Sequence, residues 1–132
     1  MRLSGKRVSR ILLPLYAAAV AFLCFWDFGG ITATPSFLAG IPLDKIAHFL
    51  MFLPLPLLCR FAFPPREGDF GHAARLALTV LCIGVLVAWG TEYIQGLSGW
   101  RTRSGWDFAA DVLGLAAASA MILFYDFSRS AR

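Results

Sequence analysis

Two pairs of polar residues at helical spacing lie near the ends of apolar stretches, and the imidazole and carboxylate groups among them could transfer protons. Asp44 and His48 are four residues apart, and Glu92 and Gln95 are three apart. Each pair therefore shares one face of a helix. Imidazole and carboxylate groups are the side chains most often used as general acids and bases. His48, Glu92 and Asp107 are our candidates for catalytic residues.

The other polar residues in the same regions are suited to binding a charged substrate. Lys45, Arg101 and Arg103 could attract a phosphate. The candidate substrate-binding residues are Asp44, Lys45, Gln95, Arg101, Arg103 and Asp111. We expect no metal and no cofactor. One alternative stays open, a divalent ion held between His48, Glu92, Asp107 and Asp111.

Each candidate also has a purely structural interpretation. Asp44 and Asp107 could cap helices, because Asp is a favoured N-cap residue. His48 could be a packing histidine, and Lys45 could simply extend to lipid headgroups. Gly114 could serve only to let two helices approach closely. The functional interpretation depends on all these residues occurring together on one face.

Four long apolar stretches carry these residues. The chain has 132 residues, 58% of them hydrophobic and 15% charged, which is more apolar than a small soluble domain can bury. Each stretch has about 18–22 residues, enough to cross the hydrocarbon layer as a helix. The predicted fold is all-α, a single domain over residues 1–132 that forms an integral membrane bundle of about four transmembrane helices. The stretches are Ile11–Phe28, Ile46–Phe63, Ala73–Tyr93 and Trp106–Phe127.

The basic residues predict how the helices are oriented. With the N-terminus inside, nine of the 12 Lys and Arg residues lie on the cytoplasmic side, and only Lys45, Arg101 and Arg103 lie outside. This bias predicts that both termini are cytoplasmic. The basic N-terminal run also fits a signal peptide or a nucleic-acid contact, but we expect neither. The nine inner residues are Arg2, Lys6, Arg7, Arg10, Arg60, Arg66, Arg75, Arg129 and Arg132.

Prolines and cysteines give two further predictions. Pro54 and Pro56 lie inside the second apolar stretch, and each removes a helix hydrogen bond, so we expect a kink there. Cys24, Cys59 and Cys82 lie in apolar runs without a CxxC pattern. We therefore expect buried thiols rather than disulfides or a zinc site.

The order and spacing of the polar residues resemble the VanZ-like family of small bacterial membrane proteins. The resemblance covers about residues 44–118, and Asp111 departs from it, because the family more often has asparagine there. The matching pieces are Asp44-Lys45-x-x-His48, Glu92-x-x-Gln95, Arg101 followed by Asp107, and Asp111 followed by Gly114.

The resemblance implies a role in the bacterial cell envelope and a location in the cytoplasmic (inner) membrane. The family's namesake is associated with resistance to the glycopeptide teicoplanin. Our leading hypothesis is a protein that handles a lipid headgroup or cell-wall precursor at the outer leaflet. Expected partners are membrane lipids, and either a lipid-linked precursor or other membrane proteins, with no nucleic acid.

Two rival functions remain open. The chain could be a non-enzymatic interaction or assembly protein in which the polar residues only lock the helices together. A transporter is the second rival and the weaker one, because the sequence shows neither an inverted repeat nor a pair of broken helices. Whether the chain is an enzyme is left open by the sequence.

Overall fold

The computed structural model describes residues 5–26, 37–38, 40–65, 69–99 and 104–131. Within these ranges the chain forms helices and one short hairpin. In chain order the elements are α1 (Gly5–Phe25), β1 (Phe37–Leu38), β2 (Ile41–Pro42), α2 (Leu43–Phe52), α3 (Pro54–Ala62), α4 (Phe70–Leu97) and α5 (Gly105–Ser130).

Among the described residues, four helical segments are long and apolar enough to cross a membrane, and α2 and α3 together make one of them, Leu43–Ala62. Large apolar side chains cover the outside of the bundle: Leu86 is 68% exposed and Trp106 78%. Such a surface is unfavourable in water and suited to lipid. The predicted helical membrane bundle with four spanning segments is confirmed.

The second span is interrupted where the prolines occur. α2 ends at Phe52 and α3 begins at Pro54, so that only Leu53 separates them. Pro54 occupies the first turn of α3, where its missing N–H costs no helical hydrogen bond. Leu53 keeps a helical conformation, and its N–H donates to the carbonyl of Phe49 at 3.1 Å. The predicted kink is thus a break of one residue.

α5 is the central helix, since it packs against α2, α3 and α4, and α1 packs against α3. The apolar core is formed by Phe52, Ala88 and Leu115. The buried face of α4 is rich in small residues, and the side chain of Leu115 fills the space left by Gly84. Small residues at such a contact let helices pack closely in a membrane, where lipid exposure gives no hydrophobic drive to associate.

The bundle has two polar ends. At one end of the bundle α1 and α4 end and α2 and α5 begin, and we call this the upper end. The opposite end is the lower end. At the lower end, Arg60 donates from Nε and Nη2 to the two carboxylate oxygens of Asp126, at 2.8 and 2.7 Å. Arg10 donates to the carbonyl of Ala62 at 3.1 Å. Asp107 at the upper end and Asp126 are about 28 Å apart along α5, close to the thickness of the hydrocarbon layer.

A short hairpin precedes α2, although the sequence showed no strand pattern. Phe37 pairs with Pro42 and Leu38 with Ile41, in antiparallel register. Gly40 in the turn has φ of 81°, a conformation that glycine adopts without strain. Strands of two residues are too short to produce a visible alternation of polar and apolar residues.

The cysteines agree with the prediction only in part. Within the described residues none is in a disulfide, and Cys24 is buried, but Cys59 is half-buried and Cys82 is exposed. Cys82 lies on α4 beside Ile83, which is also exposed. The expectation of a buried thiol is therefore wrong for Cys82, because that side of α4 is not covered by another helix.

Candidate functional site

Polar side chains from three helices meet at the upper end of the bundle. α2 contributes three of them, α4 one and α5 two, although these segments are far apart in the chain. We call this group the polar cluster, and it consists of Asp44, Lys45, His48, Glu92, Asp107 and Asp111.

The start of α5 is arranged by Ser104. Ser104 is the N-cap, and its hydroxyl accepts a hydrogen bond from the N–H of Asp107 at 3.3 Å. Asp107 thus lies three residues after the N-cap, in the first turn of α5, and is not the N-cap itself. In α2 the N-cap position is Pro42, and Asp44 lies in the first turn. The interpretation of Asp44 and Asp107 as N-caps is wrong in both helices.

Glu92 links α4 to the start of α5. In a common capping arrangement, the acidic residue three positions after the N-cap accepts from the N–H of the N-cap residue. Here the N–H of Ser104 donates instead to Oε2 of Glu92, at 3.1 Å. Because Glu92 takes this role from another helix, the carboxylate of Asp107 is available to α2.

Lys45 joins the two aspartates at the surface of the polar cluster. Its Nζ donates to Oδ2 of Asp44 at 2.5 Å and to Oδ1 of Asp107. The Lys45 side chain is 22% exposed, compared with 46% for Asp44. Lys45 therefore does more than extend to headgroups, since its charge is balanced by two carboxylates.

His48 and Asp111 form a buried pair beneath Lys45. Nδ1 of His48 is 2.9 Å from Oδ1 of Asp111, and Nε2 is 3.7 Å from Oδ2 of Asp107. The side chains of His48 and Asp111 are 4% and 1% exposed. An ionised carboxylate only accepts hydrogen bonds, so a charged Asp111 places the imidazole proton on Nδ1 and leaves Nε2 to accept one.

Gly114 allows the close approach of α2 and α5 that this pair requires. A Cβ atom at Gly114 would lie 2.4 Å from the carbonyl oxygen of Phe49, which follows His48 in α2. Gly114 itself lies one turn after Asp111 in α5. The glycine and the buried pair are therefore parts of one helix contact.

Glu92 completes a compact group of ligand-type atoms with the buried pair. One atom each from His48, Glu92 and Asp111 lie within 4.8 Å of one another. Oε1 of Glu92 and Oδ2 of Asp111 are buried and have no hydrogen-bond partner among the described residues. Buried carboxylate oxygens are nearly always paired, so these two atoms are available to accept a hydrogen bond or to bind a cation.

Tyr16 is a residue that the sequence analysis missed. Its hydroxyl is buried without a hydrogen-bond partner in the described part of the chain, and it lies within electrostatic range of Asp111. A hydroxyl in the middle of the first apolar stretch was the available signal. Without knowing which way α1 faces, that signal cannot be assigned to the polar cluster.

Three predicted residues are not placed in the polar cluster by the described contacts. Gln95 donates to the main-chain carbonyl of Cys24 at 2.7 Å, and this bond ties α4 to the last turn of α1. Carbonyls in the last turn of a helix lack a partner inside that helix, so Gln95 fills a structural need. Arg101 and Arg103 lie outside the described residues.

Comparison with known proteins gives one informative relative. The chain is 30% identical over 98 residues to an uncharacterized protein of Schizosaccharomyces pombe, a match that covers 72% of this chain and 57% of the relative. The chain thus spans a little over half the length of that relative. No family model matches the chain. No solved structure matches it either. The resemblance to the VanZ-like family therefore depends on the polar motif alone.

Proposed function

We propose that this chain is a VanZ-like, multi-pass protein of the bacterial inner membrane that handles the polar headgroup of a membrane lipid or a lipid-linked cell-wall precursor. In this proposal the polar cluster is the site, and His48, Glu92 and Asp107 are the groups that accept or donate protons. The observation that carries the proposal is the buried His48, which lies between the carboxylates of Asp111 and Asp107. Such a pairing orients an imidazole for proton transfer.

The exposure of the polar cluster supports access from the upper end. The exposed fraction of the side chain falls from 46% for Asp44 to 11% for Asp107 and 1% for Asp111. A headgroup that enters from the membrane surface would meet Asp44 and Lys45 first. The chemistry would take place deeper, beside His48.

Charge decides where the phosphate of a headgroup would bind. The polar cluster contains four carboxylates and one lysine besides His48. Lys45 already contacts two of those carboxylates. A phosphate therefore needs further positive charge, and the proposal assigns this role to Arg101 and Arg103, close before Ser104 in the sequence.

The positions of basic residues support an external upper end. Among the described residues, Lys45 is the only Lys or Arg at the upper end, whereas six are at the lower end. Basic residues are enriched in the cytoplasmic flanks of membrane helices. The proposal therefore places both termini in the cytoplasm. The six lower residues are Lys6, Arg7, Arg10, Arg60, Arg75 and Arg129.

The test uses a bacterial host that is sensitive to teicoplanin. Expression of the wild-type chain should reduce teicoplanin susceptibility, and mass spectrometry of the purified protein should find bound phosphate-containing lipid. His48→Gln should abolish the protection while immunoblots show normal amounts of protein in the membrane. His72→Gln is the matched control, because His72 is exposed at the lower end.

Two results would overturn the proposal. One is a wild-type chain that neither changes susceptibility nor retains lipid. The other is a His48→Gln protein that protects as well as the wild type. If activity is lost only in proportion to protein level, the polar cluster is structural.

The second candidate function is an assembly protein whose polar contacts only lock its helices. It is favoured by the observation that each of these bonds joins different helices. Glu92 binds the start of α5, Gln95 binds α1, and His48 binds Asp111 across α2 and α5. In this case Glu92→Gln should reduce the amount of folded protein and the activity to the same extent.

A further inference from the structure

We propose that the polar cluster binds one divalent transition-metal ion through His48, Glu92 and Asp111. The three side chains come from α2, α4 and α5, and one ligand-type atom from each lies within 4.8 Å of the others. All three residues are at least 95% buried. The inference rests on the proposed function only for what the ion would hold, a headgroup phosphate, and it replaces the proton-transfer roles of His48 and Glu92 by roles as metal ligands.

Unpaired oxygens give the first line of support. Oε1 of Glu92 and Oδ2 of Asp111 have no hydrogen-bond partner in the described part of the chain, and both atoms are buried. Each carboxylate has a partner on its other oxygen, but buried negative charge that no cation balances is still unfavourable. Lys45 does not supply the missing charge to Glu92 or Asp111, since its contacts are with Asp44 and Asp107. A cation among the three ligand residues would remove the cost.

The spacing of the atoms is close to what an ion needs. Protein nitrogen and oxygen ligands lie about 2.1 Å from a zinc-like ion, so two ligands of one ion are at most about 4.2 Å apart. The ligand atoms in this structure are at most 4.8 Å apart. Side-chain shifts of about half an ångström would bring them within the distance that one ion requires. Nδ1 of His48 and Oδ1 of Asp111, at 2.9 Å, already have the separation of two neighbouring ligands.

The surroundings of His48 fit a metal ligand. Metal-bound histidines usually direct their second ring nitrogen at a carboxylate, which holds the ring in place. If Nδ1 of His48 binds the ion, the ring proton moves from Nδ1 to Nε2, which faces Oδ2 of Asp107 at 3.7 Å, and Asp107 is itself held by Lys45. With the ion bound, His48 is a ligand rather than a proton carrier, and Asp107 positions it.

The donor set predicts which ions bind. One imidazole and two carboxylates suit Zn²⁺ or Mn²⁺, whereas Ca²⁺ and Mg²⁺ favour oxygen ligands only. Two ionised carboxylates and a neutral imidazole carry a charge of −2, which a divalent ion neutralises. An ion in this place could accept a phosphate oxygen of the headgroup as a further ligand.

The test measures metal binding to the full chain in detergent, without any assay of activity. Protein stripped with a chelator is incubated with Zn²⁺, Mn²⁺ or Mg²⁺, and bound metal is measured by plasma mass spectrometry and calorimetry. We expect one Zn²⁺ or Mn²⁺ per chain and weaker binding of Mg²⁺. Glu92→Gln and Asp111→Asn should each weaken binding by about 100-fold or more, because loss of even an outer contact costs about 10–100-fold.

Asp126→Asn is the matched control, since it removes a buried carboxylate from α5 at the lower end. It should keep the full metal content. Circular dichroism and gel filtration show whether each variant is folded, and Glu92→Gln nearly conserves the shape of the side chain. A folded wild-type chain that takes up no Zn²⁺ or Mn²⁺ would overturn the proposal. So would equal binding by the wild type, Glu92→Gln and Asp111→Asn.

The experiment separates this inference from the proposed function. If the wild type binds metal but gives no teicoplanin protection and no lipid, the metal site stands and the proposed function fails. If His48→Gln abolishes protection in a chain that binds no metal, the proposed function stands and the metal site fails.

Discussion

Gly114→Ala should separate α2 from α5 and break the buried pair of the polar cluster. The added Cβ would lie 2.4 Å from the carbonyl oxygen of Phe49 and 3.2 Å from the nitrogen of Leu53, whereas ordinary contacts begin near 3.4 Å. Both neighbours are backbone atoms, so α2 as a whole must move by about 1 Å. A shift of that size would stretch the contact between His48 and Asp111 from 2.9 Å to about 3.9 Å, beyond hydrogen-bond distance.

The expected loss of stability follows from two costs and one gain. Overpacking costs about 1–3 kcal/mol. A lost buried hydrogen bond costs about 1–3 kcal/mol more. The better helix propensity of Ala returns up to about 1 kcal/mol. We therefore expect the free energy of unfolding to fall by about 1–6 kcal/mol, measured by circular dichroism during unfolding in mixed micelles.

Gly90→Ala is the control for this prediction, because Gly90 lies inside α4 and a Cβ there meets nothing within 4 Å. It should be neutral or raise stability by up to about 1 kcal/mol. If Gly114→Ala is as stable as Gly90→Ala and keeps the activity of the wild type, the contact between α2 and α5 does not constrain the site. The reasoning from helix approach would then be refuted.

Two further predictions concern orientation and the lower end. Reporter fusions at Ser98 should read as external and those at Ser130 as cytoplasmic, because basic residues concentrate at the lower end; the reversed pattern would show that the orientation is wrong. Arg60→Ala should lower the free energy of unfolding by about 3 kcal/mol, since it leaves the buried carboxylate of Asp126 without its partner. The double change of Arg60 and Asp126 to Leu should recover most of that loss, and an equally unstable double variant would contradict the pairing.

The helices were predictable because length and apolar composition alone decide what can cross a bilayer. The second span shows that even an interruption can be predicted. The missing N–H of Pro54 predicts a kink there, and the helix is interrupted at Leu53, directly before this proline. The hairpin before α2 was not predictable. Its two-residue strands are stabilised by a turn at Gly40 rather than by a pattern of side chains.

The polar cluster was predictable only in outline. Helical spacing placed Asp44 and His48 on one face of α2, and the lipid environment explains why such faces turn toward other helices. The partner of each group depends on how the helices are rotated, which spacing within one helix does not reveal. Gln95 shows this clearly: it shares a face with Glu92 by spacing, yet it donates to Cys24 of α1.

Asp111 has a structural role that the sequence did not reveal. It departs from a motif that usually has asparagine, and the sequence predicts it only as a candidate substrate-binding residue. In the structure it is the most buried carboxylate of the polar cluster, with one oxygen toward His48 and one without a partner in the described residues. An asparagine there could accept and donate hydrogen bonds, but it would add no negative charge. Asp111 thus adds a negative charge that a cation would balance.

α5 contributes to a structural ion pair at its lower end and to the polar cluster at its upper end, so the two can be compared directly. At the lower end, one guanidinium meets one carboxylate, and both oxygens of Asp126 accept hydrogen bonds from Arg60. The charges balance, and the contact needs no other group. At the upper end, Lys45 is shared between two aspartates, while Glu92 and Asp111 each keep a buried oxygen without a partner among the described residues. This difference between the two ends supports our proposal that a metal ion binds among His48, Glu92 and Asp111, because a cation there would balance the carboxylates that Lys45 does not contact.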